Sequence, residues 1–146
     1  MNRESPLNTI MQSYTLPTIR AVLELKSNNP TKAIDLLQVA EPYELGDLPM
    51  PPNALYPAYV RGLAYLQLGH GKQAAAEFQK VIDHPGVVLL HHQGALALLQ
   101  LGRAQVMMGD NAAARKSYQD FLTLWKDADP DIPIYKQAKA EYVKLQ

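Results

Sequence analysis

The sequence predicts an all-α fold, an α-α superhelix of three stacked helical hairpins closed by a C-terminal capping helix. A motif that occurs twice, forty residues apart, is the first reason: Gly62, Ala64, Gly69, Ala74 and Gln79 recur as Gly102, Ala104, Gly109, Ala114 and Gln119, with Phe78 answered by Tyr118. Repetition at such a period marks stacked hairpins, because one hairpin cannot bury its apolar face alone and its neighbours supply the cover. The second reason is the helical spacing of apolar residues on either side of Gly69 and Gly109, which act as turns between paired helices.

Elements follow in order. Residues 1–13 are mostly polar, contain Pro6, and are expected to be irregular. Residues 14–128 hold the hairpins, at about 14–40, 54–83 and 94–125. The first runs from Leu16 to Ser27, turns at Asn28-Asn29-Pro30 and continues from Thr31, a candidate cap, to Ala40. Its Ala33 and Leu37 match Ala74 and Phe78 at an offset of 41.

In the second, Leu55, Tyr59, Leu63 and Leu66 form a stripe that Gly69-His70-Gly71 ends, and Ala74, Phe78, Val81 and Ile82 form the answering stripe before Pro85-Gly86. The third repeats the plan, with Gly94 to Met108, a turn at Gly109-Asp110, and Asn111 to Trp125. Gly62 and Ala74, like Gly102 and Ala114, are expected to leave room where paired backbones approach. The connections 41–52 and 84–92 hold too many prolines and glycines to be helical throughout. In residues 129–146, Asp129 or Asp131 is positioned to cap a final helix whose stripe is Tyr135, Ala138, Tyr142 and Leu145.

The chain has 146 residues, 47% of them apolar and 19% charged, enough to bury a core of its own. Fourteen Lys and Arg balance fourteen Asp and Glu, so no net field attracts nucleic acid or an anionic membrane. No apolar run approaches the roughly 20 residues of a membrane span, and residues 1–10 lack a signal-peptide core. The absence of cysteine excludes disulfides and thiolate sites but leaves the compartment open.

The spacing of Gly62, Tyr65, Leu68-Gly69, Ala74 and Phe78, and of Gly102, Ala104, Gly109, Ala114 and Tyr118, resembles the tetratricopeptide repeat over about residues 13–126. Departures are Ala58 and Leu98 where that repeat carries a large aromatic, Gln105 in place of its tyrosine, and Ala21 and Glu24 in the first unit. The phrases LPTIRA (Leu16 to Ala21), KAIDLLQ (Lys32 to Gln38), PYELG (Pro42 to Gly46), LYPAYVRG (Leu55 to Gly62) and YQDFLTLWKDADPDIPI (Tyr118 to Ile134) resemble the C-terminal repeat region of bacterial serine/threonine protein kinases of the acidobacterial type. That resemblance implies a sensory or docking module that follows a kinase domain. If a membrane span lies between the two, the module is extracytoplasmic; a stand-alone chain is expected in the cytoplasm. No glycine-rich nucleotide loop, HRD-type segment or DFG is present, so the chain itself is not expected to be an enzyme.

The expected function is non-catalytic binding of a peptide or protein segment on the concave face, lined by the first helix of each pair. Repeat register places Tyr56, Tyr59, Leu63 and Gln67 there from the second unit, and Leu99, Gln100, Arg103 and Met107 from the third. The alternative is assembly into a homodimer through an uncovered N-terminal hairpin, by Leu16, Ile19, Val22 and Leu23.

Other motifs yield blander readings. His70, His84, His91 and His92 lack carboxylates at ligand spacing, and a solvated loop accounts for them better than a metal. Asp127, Asp129 and Asp131 start like a calcium loop, but Ile132 and Ala138 stand where glycine and glutamate belong. No cofactor is expected, Ser117 sits mid-helix without a nucleophile elbow, and scattered basic residues read as solvated surface.

Overall fold

The computed structural model describes residues 9–46, 55–89 and 91–146. Among them the chain is helical and contains no strand: α1 (Leu16–Lys26), α2 (Pro30–Leu37), α3 (Tyr56–Gln67), α4 (Gly71–Asp83), the single turn α5 (Pro85–Val88), α6 (His92–Met107), α7 (Asn111–Leu124) and α8 (Pro133–Val143). The predicted all-α superhelix is the observed fold. Helices α1 and α2, α3 and α4, and α6 and α7 pair as hairpins, while α2 packs on α3, α4 on α6, and α7 on α8. Each second helix thus serves as floor for the next hairpin.

All three hairpin turns close in the same way. Asn28, Gly69 and Gly109 take left-handed φ values of 61°, 76° and 78°. The amide of the following residue donates five residues back, Asn29 to the Glu24 carbonyl (2.8 Å), His70 to Tyr65 (2.9 Å) and Asp110 to Gln105 (2.9 Å). This Schellman closure satisfies carbonyls that the helix end leaves orphaned. Asn28 serves the first turn because asparagine tolerates the left-handed region better than other side chains. Asp110 adds a cap, its Oδ1 accepting from the Ala113 amide at 3.0 Å.

Within each hairpin, contact depends on a pair of residues that change size together. A Cβ on Gly62 would lie 2.7 Å from the Phe78 ring, and one on Gly102 would lie 2.9 Å from the Tyr118 ring. The room left by these glycines is filled by the aromatic of the second helix, and at Gly102 the Ala114 carbonyl also borders it, 3.5 Å from that Cβ position. In the first unit Ala21 replaces glycine, and its counterpart is the smaller Leu37; both are fully buried in one cluster. Trading ring for isobutyl keeps the packed volume, to which close-packed interiors are sensitive.

Three clusters make up the core. Ala21, Ala33, Leu37, Val60 and Ala64 join α1, α2 and α3. Leu55, Ala74, Phe78, Val81 and Ala104 belong to the central one, between α3, α4 and α6. Leu99, Tyr118, Phe121, Tyr135 and Ala138 seal α6 and α7 under α8. Full burial of a side chain such as Phe78 stabilises by about 2 kcal/mol.

Several local expectations need correction. Residues 1–8 lie outside the described residues, but Thr9 and Ile10 are helical and Met11–Thr15 form a π-helical turn leading into α1. The cause is Pro17, which has no amide to donate one turn back, so the Leu16 amide reaches five residues to the Met11 carbonyl. Thr18 Oγ1 donates to the Tyr14 carbonyl at 2.6 Å, and Tyr14 is buried.

Helix α2 begins at Pro30 with Asn29 as its N-cap, so Thr31 does not cap it. Neither Asp129 nor Asp131 caps α8. Its N-cap is Ile132, held extended ahead of Pro133. Asp129 instead accepts from the Asp131 amide at 2.8 Å, shaping the turn, and Asp131 pairs with Lys136. Beyond α2, Gln38–Tyr43 form a 3-10 helix.

Candidate functional site

The side chains predicted to face a partner divide into three groups. Tyr56, at the start of α3, reaches α6: its ring meets those of His91 and His92 edge-on at 6.5 and 6.1 Å, and its hydroxyl lies 3.4 Å from His92 Nε2. Gln67, at the end of α3, is exposed and donates to Asn28 Oδ1 at 2.9 Å. Met107 is exposed at the end of α6. Gln67 and Met107 are thus exposed and Tyr56 is half-buried.

Tyr59, Leu63 and Gln100 belong mainly to the packing between helices. Tyr59 sits edge-on to Phe78 at 5.7 Å. Burial pushes its hydroxyl above the ordinary tyrosine range, against the opposing effect of a hydrogen bond with Gln100. Leu63 packs against the central core and Gln100 is buried.

Leu99 and Arg103 are taken up by α8. Leu99 is fully buried beside Tyr135 and Ala138, so its placement on a binding surface is corrected. The physical reason is that α8 lies over that part of α6. Arg103 makes a two-pronged ion pair with Glu141 of α8, Nε and Nη2 each 2.9 Å from a carboxylate oxygen, and its Nη1 lies 3.3 Å from Gln100 Oε1. Tyr118 donates to the same carboxylate at 2.7 Å.

Burial alone would raise the Glu141 carboxyl. The Arg103 and Tyr118 hydrogen bonds outweigh it and hold the carboxyl below its usual range. Burial and the bond to Glu141 together push the Tyr118 hydroxyl up. The fork of two parallel N–H···O bonds suits arginine and could not be made by lysine.

At the N-terminal end, Leu16 and Val22 are half-buried, while Ile19 and Leu23 are 52% and 57% exposed. Thr18, Ile19, Val22 and Leu23 of α1 join Tyr56 of α3 in lining an almost wholly apolar groove of about 310 Å³. A wider groove of about 520 Å³ lies across α4, α5, α6 and α7, with Val88, Leu89, His91, His92, Leu124 and Trp125 on its walls. Among the described residues, no three His, Asp or Glu side chains are grouped to hold a metal ion, and no helix is long and apolar enough to cross a membrane.

Sequence reasoning missed a buried ionic assembly behind α3. Arg61 is 2% exposed and Glu44 0%. The guanidinium donates to Glu44 at 2.9 and 3.2 Å and to Glu77 at 2.7 and 2.8 Å, and Lys80 closes on Glu44 from α4. Burial would lower the Arg61 pKa, but its bonds to Glu77 and Glu44 raise it further above its ordinary value. The signal was available: Arg61 occupies the register position of Leu101, a charge where the next unit has a core residue.

Residues 96–128 match the tetratricopeptide repeat family. The match spans most of α6, all of α7 and the turn at Gly109, and so includes Arg103 and Met107. Tetratricopeptide repeats generally mediate protein–protein interaction and are typically non-catalytic. No curated protein matches the chain.

Proposed function

We propose that this chain is a non-catalytic docking module that holds a peptide or protein segment on the face formed by its first helices. The observation that carries the reading is the tetratricopeptide match over the hairpin bearing Met107. Exposed Gln67 and Met107 and half-buried Tyr56 support the reading, combining an amide, a polarisable thioether and an aromatic ring. Such side chains concentrate binding energy on a preformed surface. The balanced charge supports a protein partner over nucleic acid. The kinase-like phrases support a place downstream of a bacterial serine/threonine kinase domain, as its sensory or docking region.

The test is selection of binders from a random peptide library on the native chain, followed by titration against Tyr56→Ala and Met107→Asp. Affinity falling roughly tenfold in each variant, with Lys116→Ala on α7 unaffected, supports the proposal. Binding that ignores both substitutions, or a library that yields no binder, overturns it. The exposure of Ile19 and Leu23 favours a second reading in which the N-terminal face joins another chain, a second copy being one candidate.

A further inference from the structure

The open face of α1 has an internal template. At the repeat offset of 41, Ile19, Arg20 and Leu23 correspond to Val60, Arg61 and Ala64 of α3. Val60 and Ala64 are 3% and 0% exposed, buried in one cluster with Ala33 and Leu37 of the preceding second helix. Ala104 of α6 is likewise buried beside Ala74 and Phe78 of α4. In each later unit this stripe is covered by a helix with a small residue and a large apolar one four positions on. On α1 the same stripe is exposed.

Charge extends the template. Arg61 takes the Glu44 carboxylate from the segment that follows the covering helix, seven residues beyond Leu37. Its counterpart Arg20 is exposed and forms no ion pair among the described residues. The residue of α2 that corresponds to Glu77 is Leu36, so no acid stands at that register position for Arg20. Lys26, exposed one turn below Leu23, adds a second positive charge to this edge.

We propose that the α1 face docks an amphipathic helix of another protein that presents alanine and leucine at positions i and i+4, with a carboxylate about seven residues further on. The alanine is required because Leu23 stands where Ala64 and Ala104 permit close approach, so the small side chain must come from the other helix. Another copy of this chain is disfavoured as the occupant, because its helices α2, α4 and α7 already bury their stripes against α3, α6 and α8.

The probe is a peptide of residues 30–46 of this chain, which carries Ala33, Leu37 and Glu44 in the required register, stapled between positions 31 and 35, both exposed in α2. The staple supplies the helicity that so short a peptide lacks in water. Titration by fluorescence anisotropy into the full chain is expected to show one site. Ile19→Asp with Leu23→Asp should weaken it at least roughly tenfold. Arg20→Glu should weaken it about threefold, and a Glu44→Lys peptide should recover that loss.

Circular dichroism verifies that the variants, all at exposed positions, stay folded. No binding by the native chain overturns the proposal, as does binding that survives the double substitution or ignores the charge swap. Light scattering on the native chain supplies the remaining decision: a dimer that the double substitution abolishes overturns the proposal in favour of a second copy. Neither result depends on the Tyr56 and Met107 variants that test the docking face of α3 and α6.

Discussion

Gly62 faces the ring of Phe78 so closely that a methyl group on its Cα would lie 2.7 Å from the ring edge. Alanine is the better helix former by about 1 kcal/mol, yet the clash acts on a rigid ring inside a packed core. Gly62→Ala is expected to destabilise by about 1 kcal/mol net in urea unfolding. Combined with Phe78→Leu, which recreates the Ala21 and Leu37 pairing of the first unit, its added cost should vanish. A double-mutant cycle with no coupling between the two sites contradicts this account.

Removal of Arg61 strands a carboxylate. Glu44 is wholly buried, and Arg61→Met leaves it with Lys80 alone. A loss of roughly 3–5 kcal/mol is expected in denaturant unfolding, because breaking one side of a buried ion pair leaves the other uncompensated. Arg61→Met with Glu44→Gln should cost less than Arg61→Met alone. Equal losses would mean that Arg61 acts through its packing and not its charge.

How far the fold could be read from residues follows from where its constraints are local. The turns at Gly69 and Gly109, the stripes through Phe78 and Tyr118, and the tyrosine stripe of α8 all follow from spacing within a dozen residues, and each is where the pattern puts it. The Arg61 assembly draws on Glu44, seventeen residues away across a connection, and no local period encodes that pairing. On the candidate site, the register identified the correct helices but not what α8 covers. The fate of Leu99 and Arg103 depends on a contact made 38 residues later in the chain.

Asn28 holds the first turn at φ 61° and also receives the Gln67 amide. Asn28→Ala should lower stability by about 1 kcal/mol through left-handed strain and the lost bond. Asn28→Gly relieves the strain and loses only the exposed bond, so it should remain within about 0.5 kcal/mol of the native chain. Thermal unfolding of the two variants tests the order, and an alanine variant as stable as the glycine one would contradict it.

The clasp on α8 predicts a pH dependence. The Glu141 carboxyl is held below its free value of 4.5, so the folded state binds its proton more weakly than the unfolded one. The stability it contributes is complete above about pH 4.5 and is lost as the pH falls through the lower folded value. Urea midpoints from about pH 6 down to about pH 3 should therefore fall less steeply in Glu141→Gln than in the native chain. Parallel profiles would show that Arg103 and Tyr118 do not lower this carboxyl.

The connection between the first and second hairpins is tethered at both of its ends. Glu44 is held by Arg61 and Lys80 just before it, and the Leu55 backbone is bonded by the buried Tyr14 side chain just after it. Those two contacts act as pins on either side of the joint, so the register of α2 on α3 is fixed by side chains that the two hairpins themselves supply.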